Sequence, residues 1–191
     1  MTRLTSTCWW IILALWCTAV LSPAITSISA FTQLKEVGLV VTEYQDFLGD
    51  DSELHGRMAA GYISTPVFNL TDRTQAILAL AATMVFVSTR GKVFGFRSPL
   101  NILNGVILIL LCGLSLWIYF DVSPSMNSAV EAYRVAAAAN DTQEAALTYK
   151  SMMIIHETSE PLYGARAILV FILIIASGIL SGTPKTKTTQ S

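Results

Sequence analysis

Charge is scarce in this chain: only 13% of its 191 residues are Asp, Glu, Lys or Arg, about half the share of a soluble domain. That excludes a charge-rich disordered protein. The three cysteines, Cys8, Cys17 and Cys112, sit in or beside apolar runs with no CxxC or Cys/His spacing. Neither a zinc site nor a disulfide framework is expected from them, and packed or lipid-facing thiols are. The phosphate loop GxxxxGK[ST], the nucleophile elbow GxSxG, HExxH and GxGxxG are all missing, and no Ser/His/Asp or Cys/His set replaces them. The chain therefore reads as a non-enzyme with no assigned cofactor. Net charge is −1, which gives no basic pull toward nucleic acid.

Apolar residues, by contrast, make up 53% of the chain. Crossing about 30 Å of hydrocarbon takes about 20 mostly apolar helical residues. Four runs meet that length: about Cys8–Ile28, Val67–Val87, Leu100–Phe120 and Leu162–Leu180. A signal peptide is the competing reading of the first. Its candidate cleavage point, Ile28-Ser29-Ala30, has a poor −3 residue, and the run is long for such a segment. In the second, Asp72 and Arg73 are expensive in mid-bilayer and are expected at its boundary, with Pro66 near the helix start.

Arg3, Arg90, Lys92, Arg97, Lys185 and Lys187 occupy three segments that hold no acid; the other two segments carry all 13 Asp and Glu. Four spans put these groups on opposite faces. The positive-inside rule then places both termini and the basic loop in the cytoplasm, as in a bacterial inner membrane. Residues 1–182 read as one four-helix membrane domain and 183–191 as a disordered cytoplasmic tail.

The 41 residues from Asp121 to Pro161 are too many for a structureless loop. Ala-rich Val130–Ala139 predicts one outer helix. Asp141 and Glu144 resemble a capping box opening another at Thr142–Glu157, before Ser159-Glu160-Pro161 starts the fourth span. The stripe of Ala145, Ala146, Tyr149, Met152, Met153 and His156 would pack on the bundle. Leu34, Val37 and Val41 keep helical spacing, and Gly49–Ser52 reads as a turn. The fold class is thus all-α: a four-helix transmembrane bundle with short amphipathic helices on its extracytoplasmic side. Its surroundings are the lipid bilayer and, through helix contacts such as Gly178-x-x-x-Gly182, a homo- or hetero-oligomer.

Few residues could carry chemistry. His55 and His156 both fall on the outer side near span ends, where they could ligate a metal or haem, or simply pin outer helices by hydrogen bonds. Asp72, Arg57, Arg73, Glu160 and Arg166 form a candidate polar cluster at the same level. An intramembrane arginine seeks a carboxylate; for Arg166 that is Asp72, at similar depth, or Glu160. Its functional alternative is a small-solute or proton path. Asn101 and Asn104 share a helix face. Trp9, Trp10, Trp117, Tyr119, Tyr62 and Tyr163 fall near span ends, as interfacial anchors do.

The stretches Glu53–Gln75 and Met152–Arg166 resemble a bacterial integral-membrane family of unknown function related to transmembrane-protein-205-like proteins. The likeness rests on Leu54-His55-Gly56-Arg57-Met58-Ala59-Ala60-Gly61, Pro66-Val67-Phe68 with Asp72, and His156-x-x-Ser159. It implies a small four-helix membrane bundle and brings no established catalysis. A more distant likeness to copper-resistance membrane proteins implies metal at His55 and His156.

Overall fold

A computed structural model describes residues 3–93 and 99–182. The expected tail over residues 183–191 and the basic residues Arg97, Lys185 and Lys187 lie outside the described residues. In chain order the elements are α1 (Arg3–Gln33), a 3-10 turn (Thr42–Tyr44), α2 (Gln45–Leu48) and α3 (Ser52–Val93), then α4 (Pro99–Trp117), a π turn (Ile118–Val122), α5 (Ser123–Ala138) and α6 (Thr142–Gly182). Four helical rods are long and apolar enough to cross a membrane: α1, α3, the continuous α4–α5 rod and α6. They pack as a bundle in which α1 touches α3 and α6, and α4 touches the same two. The chain is an all-α polytopic membrane protein.

The bundle core is a band of Leu13, Trp16, Ala19, Ala79, Ala82, Leu108, Leu111, Val170 and Leu173. Alanine recurs where α1 meets α3, as expected where lipid-soluble helices attract by close packing rather than by hydrophobic burial. Ile11, Ile77, Ile109 and Ile175 point outward instead, giving each rod an apolar face suited to acyl chains. Trp9 lies in this core against Phe86, whereas Trp10 and Trp117 are exposed. Only the latter two of these three therefore fit an interfacial anchor. Gly178 is open, with nothing within 4 Å of where a Cβ would stand, so the Gly178 end of Gly178-x-x-x-Gly182 seats no close helix contact within the chain. Among the cysteines, Cys8 is exposed and the other two are half-buried, all free.

The outer helices differ from the sequence expectation in continuity. Pro66 and Pro161 lie inside α3 and α6 rather than opening them. The helices run on without a break because a broken backbone near lipid would leave polar groups unpaired. At 1.5 Å per residue, the 42 residues of α3 and 41 of α6 span about 60 Å each, twice the hydrocarbon thickness. α3 and α6 thus run on as single helices well beyond the length a bilayer needs instead of handing over to separate helices. The stripe predicted on Thr142–Glu157 meets α5, forming a helical hairpin: Ala145 is buried, Met152 and Met153 are half-buried, and Ala146, Tyr149 and His156 are exposed.

The hairpin turn carries the Asp half of the expected capping box, while the Asp141 N–H donates to the Ala136 carbonyl at 3.0 Å rather than to Glu144. Asn140 takes a positive φ of 54°, tolerable for Asn. Asp141 Oδ1 then accepts the Glu144 N–H at 3.0 Å. Asp51 caps α3 the same way, accepting N–H groups of Glu53 and Leu54 at 3.0 and 3.1 Å. No helix forms over Leu34–Val41: α1 ends at Gln33, and Gly38 turns the chain at φ 67°.

Candidate functional site

The polar heart of the bundle is Asp72, halfway along α3 and only 1% exposed. Its Oδ1 accepts from Arg166 Nη2 of α6 at 2.8 Å. Its Oδ2 accepts from Ser123 Oγ in a short hydrogen bond and from the Tyr163 hydroxyl at 2.9 Å. Three donors from α5 and α6 therefore converge on one carboxylate of α3. Arg166 is 2% exposed, and its guanidinium lies 4.9 Å from the centre of the Tyr163 ring. That ring also meets Phe68 edge-on, with centroids 5.9 Å apart. Donors meet both carboxylate oxygens, and a carboxylate left unpaired in so dry a setting would be very costly.

One turn along α3 from Asp72, buried Gln75 donates to the Ala19 carbonyl of α1 at 3.3 Å. The polar level thus reaches the fourth rod as well. Asn101 and Asn104 both face the bundle interior, consistent with their shared helix face. Neither amide atom of Asn104 finds a partner among the described residues.

The other members of the expected polar cluster stand apart from this centre. Arg57 pairs with Glu53 one turn away at 2.7 Å, with side chains 61% and 54% exposed. Arg73 and Glu160 are exposed on the outer faces of α3 and α6. Arg73 neighbours Asp72 in sequence, but residues one apart on a helix point in different directions. Of the two carboxylates considered for Arg166, Asp72 is the partner.

His55 and His156 have unrelated surroundings. His55 is fully buried in the first turn of α3. Its Nδ1 accepts the Val41 N–H at 3.1 Å, and its Nε2 faces the Gly49 carbonyl at 3.0 Å. Both ring nitrogens are therefore occupied by backbone. His156 is exposed on α6. Counted along the helices from the Asp72–Arg166 pair, His55 is 17 residues away and His156 is 10, about 25 and 15 Å of rise. Among the described residues, no three His, Cys, Asp or Glu side chains gather as a metal site would require.

Sequence reasoning missed two functional neighbours, Ser123 and Tyr163. Tyr163 was legible as an aromatic near a span end, the wrong role for a residue whose hydroxyl turns inward. Ser123 carries no distinguishing signal, and its position depends on the π turn just before it. Comparison with family models, with curated proteins and with solved structures finds no match.

Proposed function

We propose that this chain is a non-enzymatic accessory membrane protein of bacterial inner-membrane type, in which the Asp72-centred cluster is a clamp holding three rods in register. One observation carries the reading: a single carboxylate, held by three donors from two other elements and sealed from solvent. A group that must take up and release substrate needs an approach path and a lone pair or proton to spare. Asp72 lacks the approach path, and three of its roughly four acceptor sites are already taken. The two stretches that carry the family resemblance supply Asp72 and Arg166 respectively, and that resemblance brings no catalysis with it. The metal or haem reading draws no support from His55, whose ring nitrogens are both spoken for.

A proton or solute path uses the same Asp72–Arg166 pair, so one experiment separates the readings. Purified protein is reconstituted in liposomes containing a pH-sensitive dye, and a potassium diffusion potential is applied. Proton entry should match protein-free liposomes for the wild type and for Asp72→Asn alike. Flux present in the wild type and lost in Asp72→Asn would overturn the clamp reading in favour of transport.

In this proposal the acid-rich end, with the α5–α6 hairpin tip, faces away from the cytoplasm, because the short segments at the other end carry Lys and Arg with no Asp or Glu beside them. With the native cysteines replaced by serine, a membrane-impermeant maleimide added to intact cells should label Asp141→Cys and spare Lys92→Cys. The reverse pattern would invert the topology.

A further inference from the structure

We propose that residues 39–49 form a pH-sensitive latch, held down by the neutral ring of His55 and released when that ring takes up a proton. The hydrogen-bond pattern fixes the chemistry. A backbone N–H can only donate, so Nδ1, which meets Val41 N–H at 3.1 Å, must present its lone pair. A carbonyl can only accept, so Nε2, which meets Gly49 O at 3.0 Å, must carry the hydrogen. One neutral tautomer satisfies both bonds. These bonds grip the segment at its two ends, Val41 and Gly49.

Between the grips the latch has little regular structure of its own: one 3-10 turn and the four-residue α2. It is seated by side chains. Tyr44 is buried with Met58 of α3 and Ala137 of α5, and Val41, Phe47, Leu48 and Tyr133 pack around them. Tyr44 and Tyr62 share a hydroxyl–hydroxyl hydrogen bond, and the Arg134 guanidinium covers the Tyr62 ring at 3.9 Å. Burial pushes the Tyr44 phenol above its ordinary value, so this contact keeps its proton through the physiological range.

Protonation of His55 puts an N–H on Nδ1, donor facing donor, and places a charge in a fully buried site. Compensation would have to come from charged residues on the surrounding elements: Lys35 and Glu36 past α1, Glu43, Asp46 and Asp50 on the latch, Asp51, Glu53 and Arg57 on α3, and Glu131 and Arg134 on α5. Asp51 is engaged in capping α3, Glu53 with Arg57, and Asp50 with Gln45. Among the described residues, no carboxylate forms an ion pair with the ring. The imidazolium is left with one bond where the imidazole had two. Imidazole is the side chain whose ordinary titration in water falls between about pH 5 and 8; a ring released into water takes up a proton there, so mild acid at this end of the bundle favours the released latch and the uncovered Met58–Ala137 patch.

The test is hydrogen exchange of the full-length protein in nanodiscs at pH 7.5 and 5.5, corrected for intrinsic exchange rates. Wild-type protection over residues 39–49 should fall up to roughly tenfold at the lower pH, the most that uptake of one proton by an ordinary imidazole in the released state allows over this interval, while the cores of the four rods keep theirs. His55→Gln carries a carbonyl acceptor and an NH₂ donor but does not titrate, so its latch should be equally protected at both pH values. Unchanged wild-type protection, a loss spread evenly over the molecule, or an identical loss in His55→Gln would each overturn the proposal. Should His55→Gln fail to fold, the wild-type comparison of latch against rods still decides.

Discussion

Replacing Arg166 with Met should destabilise the folded protein by about 3–5 kcal/mol, the cost of leaving one member of a buried ion pair alone. Asp72 would keep its bonds from Ser123 and Tyr163, but two neutral hydroxyls do not balance a full charge in a site that is 1% exposed. Asp72→Asn should also destabilise, since it keeps an acceptor for the hydroxyls and strands the guanidinium. The double variant Asp72→Asn/Arg166→Met should lose clearly less than the sum of the singles, because neither stranded charge remains. Arg166→Lys should recover only part of the loss: an ammonium matches the charge but not the planar group set over the Tyr163 ring at 4.9 Å. Equilibrium unfolding in a mild detergent measures all four. The exposed Arg57–Glu53 pair is the internal control, and Arg57→Met should change stability by no more than about 0.5 kcal/mol. A loss below about 1 kcal/mol for Arg166→Met would mean that water or detergent reaches the pair and that it holds nothing together, against the 3–5 kcal/mol of a sealed one.

That pair is legible in the sequence for a reason that does not extend to its neighbours. A charge inside an apolar run is so costly that it must find a partner at its own depth, which leaves very few candidates. The number of spans is legible on similar grounds, since bilayer thickness sets a minimum run length. Seryl and tyrosyl hydroxyls are cheap enough to sit almost anywhere, so nothing in the sequence aims Ser123 or Tyr163 at Asp72. The π turn over Ile118–Val122 also shifts the facing of everything after it by a residue, which a 3.6-residue period does not anticipate. The prolines misled through context: Pro66 and Pro161 signal helix starts in water but sit within helices here. His55 stood out as an imidazole near a span end, and the property that suggests a metal ligand, one lone pair beside one N–H, is the property that clasps two backbone groups.

The second large effect is expected at Gly56, next to that histidine. After α1 ends at Gln33, the chain crosses directly over the first turns of α3, and the crossing point is Gly56. A Cβ there would lie 2.5 Å from the Leu34 carbonyl oxygen, 2.6 Å from Lys35 Cα and 2.7 Å from Leu34 C. All three are backbone atoms, so no rotamer change relieves the clash; either the chain leaving α1 or the start of α3 must move. Mid-helix Gly→Ala is ordinarily worth up to about 1 kcal/mol in favour of Ala, but forced overpacking costs about 1–3 kcal/mol or more. Gly56→Ala should therefore come out destabilised on balance, and Gly56→Val more so, because a branched side chain adds bulk on the same side. The expected signature is local as well as global: the Val41–His55 and Gly49–His55 bonds are set by the same crossing, so latch amides should lose protection even at pH 7.5. Gly113→Ala and Gly164→Ala, where nothing lies within 4 Å of the added methyl, should be neutral or slightly stabilising in the same unfolding assay. Gly56→Ala as stable as the wild type would place the end of α1 and the start of α3 farther apart than this crossing allows, and would remove the geometric basis on which His55 reaches Val41.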